Sequence, residues 1–376
     1  QFFSQRRRTR HYRPNQESFS ADYHRGGSSN PFYELREMTT LTSPHDLLAA
    51  IPFLIGYHPE DSLVVVSIKD NAVGMAMRID YPVDLPQGAY DLLASHLQRD
   101  SATGALLVAY VPNNRSDGER VLADASAALT RIDITTDESL LIQGGRYRSV
   151  LCQDQSCCPA DGNLIPEIDG SRIAVEHVVA GRAMPFANLQ ALTDSISSLP
   201  VAEEQRWIDQ VKSFQVTSSA QDLTKEQRDG ATAVIDLAGE FASGRIGQDL
   251  ELTARVIGRL SDIQVRDFAL GSHDEESVDT YFQMWRHLMR IAPKGFIAPV
   301  ASLCAALAYE SGDGALAHRS LDRALEDVNG YSLALLLRRV FTAGWPPASF
   351  AAMRRELHPK VCAGIFGLDL PPGHEF

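Results

Sequence analysis

The sequence predicts an α/β domain, in which helices cover a mixed sheet, followed by an all-α helical domain. Up to about residue 160, runs of β-branched residues alternate with segments of helical period, as expected when helices cover a sheet. Strand patterns stop near residue 173, and amphipathic helical patterns then continue to the C-terminus. The 376 residues are enough for each domain to bury its own core.

The first domain is organised around residues 47–68, LLAAIPFLIGYHPEDSLVVVSI. Ser43 followed by Pro44 is typical of a helix start. This helix is expected to end near Pro52, because a proline disfavours helical backbone in the residue before it. The run at residues 63–68 predicts a strand that is buried on both faces.

Two dipeptides in this domain are typical of the tight turn between paired strands. Asp70-Asn71 and Gly144-Gly145 are dipeptides that favour tight hairpin turns. Helical segments place apolar side chains three to four residues apart, whereas the strands are short apolar or alternating runs. The elements expected after the first strand are a strand at 73–80, a helix at 88–99, a strand at 104–111, a helix at 118–131, and strands at 139–142 and 146–152.

The second domain is expected to hold about eight or nine helices, counted from their apolar periodicity. The pairs Thr224 with Gln227 and Ser272 with Glu275 match the capping-box pattern at helix starts. Residues 273–276, HDEE, are interpreted as the acidic first turn of the helix that Ser272 would cap, since negative charge is favourable there.

Residues 304–327, CAALAYESGDGALAHRSLDRALED, give the most specific helical pattern of the chain. Its spacing of small and large side chains resembles one tetratricopeptide-like helical hairpin. One unit cannot form the extended concave face of a repeat array. We therefore expect a hairpin that closes the helical domain, with a peptide-binding groove as the alternative.

The N-terminal segment differs in composition from the rest of the chain. Its first 37 residues hold seven Arg against four acidic residues and few aliphatic side chains, which is typical of disorder. The sequence begins with Gln, and Met38 is a candidate natural start. The expected domains are a disordered basic extension at 1–40, an α/β domain at 41–165, an all-α domain at 170–360 and a C-terminal tail at 361–376.

The charge balance excludes some classes of partner. The net charge is −13, and the acidic excess lies entirely beyond the basic extension, so phosphate backbones would be repelled. Nucleic acid is therefore not an expected partner. No secretory signal is recognisable, and no stretch approaches the roughly 20 apolar residues that span a bilayer. We expect no membrane association and a cytoplasmic location.

Four separate segments resemble the DUF4192 family, a domain of unknown function found chiefly in actinobacteria. They are LLAAIPFLIGYHPEDSLVVV at 47–66, GGRYRSVLCQDQSCCPADG at 144–162, VRDFAL at 265–270 and SGDGALA at 311–317. The resemblance covers about residues 41–357. It implies an actinobacterial, cytoplasmic protein, and it implies neither an activity nor catalytic residues.

Three of the five cysteines, Cys152, Cys157 and Cys158, form the pattern C-x4-C-C-P after a predicted strand. Packing in a tight turn is the favoured interpretation, and a metal or redox site is the alternative. Zinc would need about four ligands, and pairs of zinc-binding cysteines are typically separated by two to four residues. Reducing conditions in the cytosol disfavour a structural disulfide. Cys304 and Cys362 are expected in the core.

Two sets of polar residues are further candidates for ligand binding. His58 and Asp61 precede the central strand, whereas ligands of open α/β sheets usually bind beyond the carboxyl ends of strands. Arginine side chains of two predicted strands offer bidentate forks for an anion, with solvated sheet-face charges as the alternative. These strand residues are Arg78, Asp80, Arg146 and Arg148.

The leading functional interpretation is a non-enzymatic protein-interaction or regulatory protein that contacts a protein partner through its helical domain. The sequence contains no H-E-x-x-H, G-x-S-x-G or P-loop motif. One alternative is an enzyme or ligand sensor with an anion pocket between the domains. Another is a metal or redox sensor that uses the turn at residues 152–158. No cofactor is favoured.

Overall fold

The structure of the chain, a computed structural model, describes residues 41, 43–70, 72–82, 87–180, 183–216 and 222–367. The chain divides into two units, the first ending at Pro185 and the second beginning at Phe186. The predicted extension at 1–40 lies outside the described residues, as do residues 368–376 of the predicted tail.

The first unit contains a six-stranded mixed sheet with the strand order β2-β1-β3-β4-β5-β6. β3 and β4 are parallel, and every other neighbouring pair in the sheet is antiparallel. The predicted mixed sheet is thereby confirmed. The strands are β1 (Ser62–Lys69), β2 (Ala72–Asp80), β3 (Gly104–Tyr110), β4 (Thr135–Gln143), β5 (Arg146–Ser149) and β6 (Asn163–Leu164).

Helices cover this sheet, as the alternating pattern predicts. α2 and α3 pack on the sheet face that carries Leu63 and Val65. α4 packs against α1, where the rings of Phe53 and His177 stack with centroids 4.3 Å apart. The contacts thus assign α4 to the first unit. The four helices are α1 (Pro44–Ile55), α2 (Gln87–Arg99), α3 (Gly118–Thr130) and α4 (Arg172–Val179).

β1 lies second in the strand order and is the strand on which the burial prediction was made. Residues 62–68 are all buried, and β1 pairs with β2 on one side and β3 on the other. Since side chains alternate along a strand, Val64 and Val66 face away from Leu63 and Val65, and they are also fully buried. The prediction of a strand buried on both faces is confirmed.

α1 continues past the proline at which it was expected to end. It includes Pro52 and ends at Ile55, where Gly56 adopts a left-handed conformation and donates its N–H to the Pro52 carbonyl at 2.8 Å. An internal proline costs a helix about 3 kcal/mol. Most of α1 is buried, including Leu47 and Ile51, so its tertiary packing outweighs the local preference.

The predicted Gly144-Gly145 hairpin turn is confirmed, and β1 and β2 also pair as antiparallel neighbours, while Asn71 of the other predicted turn lies outside the described residues. Gly144 and Gly145 have φ values of 59° and 74°, and they connect β4 to β5. Positive φ at both central residues is the geometry of a tight hairpin turn and favours glycine. Asp70 also has positive φ, 49°, in the turn that joins β1 to β2.

The second unit is helical and has more helices than the sequence predicts. The additional ones are short, and periodicity is weak over fewer than about ten residues. None of the helices in the described part of the chain is both long and apolar enough to cross a membrane. The helices are α5 (Leu189–Asp194), α6 (Glu204–Ser213), α7 (Leu223–Ala242), α8 (Leu250–Arg259), α9 (Ile263–Gly271), α10 (Val278–Ile291), α11 (Ile297–Glu310), α12 (Gly314–Asp327), α13 (Ser332–Thr342) and α14 (Pro347–Phe366).

Both predicted capping boxes are wrong. The N-cap of α7 is Asp222, so Thr224 lies inside the helix. Ser272 follows the end of α9 and does not begin α10, which starts at Val278. Between these helices, the Asp274 carboxylate accepts hydrogen bonds from the Ser277 N–H at 2.9 Å and the Ser277 hydroxyl at 2.6 Å. The acidic residues there form a separate turn before α10, because the chain first turns inward at the buried His273.

The predicted hairpin at residues 304–327 is present as the end of α11, a turn and α12. Asp313 caps α12, since its carboxylate accepts the Leu316 N–H at 2.9 Å. The last residue of α12, Asp327, accepts backbone N–H groups of Gly295, Ile297 and Ala298 at 2.6 to 3.0 Å, at the start of α11. Aspartate side chains therefore bind the backbone at both ends of this helix pair. The Asp313 carboxylate lies at the N-terminus of α12 and the Asp327 carboxylate at the N-terminus of α11, where negative charge complements the helix dipole.

A buried ion pair joins α11 to α14. Nε and Nη2 of Arg354 donate to the two carboxylate oxygens of Glu310 at 2.7 and 3.3 Å. Nη1 of Arg354 donates to the carbonyls of Gly271 and His273, both at 3.1 Å. His273 completes the network, with Nε2 3.1 Å from a Glu310 oxygen. Both charged groups of the pair have several partners, which such a buried pair requires.

We expect Arg354→Met to destabilise the second unit by about 3 to 5 kcal/mol, because Glu310 would keep a buried charge without its main partner. Arg355→Met is the matched control. Arg355 pairs with Glu275 at 3.2 Å, and about half of each side chain is exposed, so its loss should cost no more than about 1 kcal/mol.

The measurement is urea unfolding followed by tryptophan fluorescence. All three tryptophans, Trp207, Trp285 and Trp345, lie in the second unit. Equal losses of unfolding free energy in the two variants would contradict the importance of the buried pair.

Candidate functional site

The three candidate cysteines come together in the loop between β5 and β6. The Sγ atoms of Cys152, Cys157 and Cys158 all lie within 4.8 Å of one another. Cys157 is exposed and the other two are half-buried, and none of them forms a disulfide. Residues 152, 157 and 158 are called the cysteine cluster below.

The chain that enters this loop is fixed by a buried carboxylate. Glu138 on β4 accepts a hydrogen bond from the Ser149 hydroxyl at 2.6 Å and is itself only 3% exposed. The Ser149 oxygen in turn accepts the N–H of Leu151 at 3.2 Å. These bonds position the backbone immediately before Cys152.

A tight turn at Asp154 brings the adjacent cysteines toward Cys152. The Asp154 carbonyl accepts the N–H groups of Cys157 at 3.1 Å and of Cys158 at 2.7 Å. The Asp154 carboxylate accepts the N–H and hydroxyl of Ser156 at 2.9 and 2.7 Å, and these hydrogen bonds lower its pKa. The carboxylate therefore stabilises the turn itself.

The loop returns to the sheet at a position that requires glycine. Gly162 has a φ of 73°, and a Cβ atom there would lie 2.8 Å from the Tyr147 carbonyl oxygen. Arg146 Nη1 donates to the Gly162 carbonyl at 2.9 Å, and the Asn163 amide donates to the Cys157 carbonyl at 2.9 Å. The exit of the loop is thus anchored on β5.

Burial raises the pKa of the Cys158 thiol to about 12, and the nearby thiols of Cys152 and Cys157 act in the same direction. Burial also raises the pKa of Tyr147, with Cys158 and Cys157 as further causes. A catalytic cysteine needs a lowered pKa to form its thiolate. The raised pKa therefore keeps the Cys158 thiol neutral, which opposes a role as a catalytic nucleophile.

The structure does not bring the four charged strand residues together. Arg78 pairs with Asp80 on the edge strand β2, whereas Arg148 pairs with Glu119 at the start of α3. Arg146 instead belongs to the cysteine loop, through Gly162.

Strand order and register separate these arginines. β1, β3 and β4 lie between β2 and β5, which corresponds to about 19 Å at the usual strand spacing. Arg78 on β2 and Ser149 on β5 belong to the same row of paired residues across the sheet. Arg148 precedes Ser149 by one residue, so its side chain faces the opposite side of the sheet from that of Arg78.

The segment that contains His58 and Asp61 supports the start of β1. Asp61 is exposed, has a φ of 40°, and accepts the Tyr81 N–H on its backbone carbonyl at 2.8 Å. His58 is half-buried. Arg78 Nη2 approaches the Glu60 carbonyl at 3.4 Å, so the structure brings this segment next to the Arg78 pair and not to the cysteine cluster.

Sequence reasoning missed a polar cluster after β3. Asp117, which precedes α3, accepts hydrogen bonds from the Tyr81 hydroxyl at 3.0 Å, from Arg115 at 3.1 and 2.5 Å and from Arg120 at 3.2 Å. These bonds, that of Arg115 above all, hold the pKa of Asp117 below its usual range. Asp117 follows the carboxyl end of β3, a strand parallel to β4. Ligands of α/β sheets usually bind at such ends, so this position is the signal by which the sequence could have indicated the cluster. The carboxylate is already satisfied by the chain's own cations.

A Cys–His contact on α14 was also missed. Cys362 Sγ lies 3.3 Å from Nε2 of His358, one helical turn away. Burial raises the pKa of Cys362 and lowers the pKa of His358. Both shifts oppose formation of a thiolate–imidazolium pair, so this contact lacks the electrostatics of an activated nucleophile.

A family model described as "Domain of unknown function (DUF4192)" matches residues 44–348. No curated protein and no solved structure shows significant similarity to the chain.

We expect Gly162→Ala to loosen the cysteine loop, because the new Cβ would meet both a strained φ and the Tyr147 carbonyl. The cost should be about 1 to 3 kcal/mol of local stability. Alkylation of the half-buried Cys158, followed by peptide mass spectrometry, should become faster.

Gly170→Ala is the control, since a Cβ at that position would meet nothing within 4 Å. Its Cys158 alkylation rate should match the wild type. An unchanged rate in Gly162→Ala would show that the anchor at Gly162 does not order the cluster.

Proposed function

The chain belongs to the DUF4192 family, a domain of unknown function, and we propose that it is a non-enzymatic cytoplasmic regulatory protein whose input site is the cysteine cluster. One observation carries the proposal: three free thiols lie within 4.8 Å of one another on a loop anchored to the sheet. Such a group can bind one soft cation or one thiol reagent, which single cysteines do much more weakly.

Access and anchoring support a sensory role for the cluster. Cys157 is exposed, so a ligand can reach it from solvent. At its entry the loop follows Ser149, the last residue of β5, which donates to Glu138 on β4, and at its exit the Gly162 carbonyl accepts a hydrogen bond from Arg146 on β5. A change in the loop would therefore act on two strands of the sheet. A reducing cytoplasm would keep the three thiols free.

A redox response is the second form that this input can take. A disulfide needs two sulfur atoms about 2.05 Å apart. Cys152 could reach this distance from Cys157 or Cys158 after a small movement, since all three lie within 4.8 Å. The raised pKa of Cys158 makes it a slow nucleophile in such an exchange.

A trivalent arsenical tests whether the three thiols act as one site. Phenylarsine oxide reacts with two neighbouring thiols, forming two As–S bonds and releasing one water. We expect one adduct per full-length chain under reducing conditions and slower backbone hydrogen exchange in the cysteine loop and β5.

The double variant Cys157→Ser/Cys158→Ser should form no stable adduct, whereas Cys362→Ser should behave as the wild type. An adduct that persists in the double variant would contradict the proposal. So would an adduct that leaves hydrogen exchange in β5 unchanged, because the loop would then transmit nothing to the sheet.

For the output of this regulation we propose a protein contact by the helical unit. α13 exposes Leu335 and Leu336, 38% and 57% of whose surfaces are accessible, and Arg339 is exposed one turn later. Two exposed leucines beside a cation fit the apolar face of an amphipathic partner helix with an acidic edge. The tetratricopeptide-like interpretation of α11 and α12 is consistent with such a role.

Leu336→Glu should abolish retention of the partner when full-length protein captures proteins from an actinobacterial lysate. The substitution places a negative charge beside the exposed Leu335. Leu357→Glu on α14 is the control, because Leu357 is 48% exposed but lies on another helix. A captured protein that both variants retain equally would contradict a binding role for α13.

A further inference from the structure

We infer that the cysteine cluster binds one soft divalent cation of the zinc class through three thiolates. The inference rests on the proposed function, since it names the ligand of the same loop. Three arguments support it: the spacing of the sulfur atoms, the chemistry of the donors and the exposure of the loop.

The sulfur spacing fits one ion. Zinc binds thiolate at about 2.3 Å in tetrahedral geometry, which places its sulfur ligands about 3.8 Å apart. In the structure the three Sγ atoms lie within 4.8 Å of one another, so closure on an ion requires shifts of about 1 Å or less. Rotation about the Cα–Cβ bonds of the cysteines supplies such shifts without moving the anchored backbone.

The donor set selects the class of cation. All three members of the cluster are cysteines, and among the described residues no carboxylate or imidazole belongs to it. Thiolates favour zinc and other soft ions, whereas magnesium and calcium require oxygen ligands. The nearest acidic side chain in sequence, Asp154, already accepts two hydrogen bonds from Ser156. A disulfide would use two sulfurs and leave the third without a role.

The exposure of the loop indicates an exchangeable ion. Structural zinc sites are closed by four protein ligands, whereas sites with three protein ligands keep one position for water or another ligand. Cys157 is exposed, so the fourth position would face solvent. An ion held in this way can be gained and lost, as a sensor requires.

Titration of the full-length, reduced protein with Co²⁺ alone tests the inference. Cobalt occupies zinc sites and gives a sulfur-to-metal charge-transfer absorption that requires thiolate ligands. We expect one Co²⁺ per chain with this absorption, and its loss when Zn²⁺ displaces the cobalt. Each of Cys152→Ser, Cys157→Ser and Cys158→Ser should weaken Co²⁺ binding at least about tenfold, and Cys362→Ser should have no effect.

The variants need a folding control, because a disordered loop would also lose the ion. Far-ultraviolet circular dichroism of each metal-free variant should match the wild type. Absence of the thiolate absorption in the wild type would overturn the inference, as would undiminished binding by any of the three cluster variants. If the arsenical adduct forms while Co²⁺ does not bind, the metal inference fails and the proposed function survives.

Discussion

The first unit depends on the burial of β1 on both faces and along both edges. Residues 62–68 are all buried, so their backbone groups must be satisfied by β2 and β3 and their side chains must be covered by other parts of the unit. This requirement sets the layered order of the unit. It also leaves polar chemistry to the margins of the sheet, and the cysteine loop lies at the margin farthest from β2.

A loop at a sheet margin is ordered only if the chain anchors it. Here a buried carboxylate on β4 fixes the entry through Ser149, and Gly162 fixes the exit through its close approach to Tyr147. Asp154 then directs both adjacent cysteines by its carbonyl and closes the turn with its carboxylate. The backbone of the cluster is therefore held by hydrogen bonds, and the Cys152 Sγ also donates to the Asp154 carbonyl at 3.9 Å. Cys157 is exposed, which distinguishes the cluster from a cysteine buried in the core, such as Cys304.

Local patterns were enough to predict five of the six described strands, the glycine hairpin and the division into a sheet part and a helical part, but not the two-residue β6. They failed where distant contacts decide the outcome. Pro52 remains helical because α1 is buried. Strand order, which local sequence does not encode, places Arg78 and Arg148 toward opposite margins. His273, interpreted as part of the acidic first turn of a helix, is buried against Glu310, a residue 37 positions away in the chain.

The cysteines show how such failures affect the interpretation of function. Adjacent cysteines count against a shared ion when the intervening backbone is taken as extended, because successive side chains then point to opposite sides. The turn at Asp154 removes that objection, since its carbonyl accepts the N–H groups of both Cys157 and Cys158 and their sulfurs converge on Cys152. Spacing rules drawn from closed four-ligand sites thus do not apply to a three-thiol loop with one side open to solvent. The sequence indicates that three cysteines lie close together along the chain. Only the fold shows that their sulfur atoms converge.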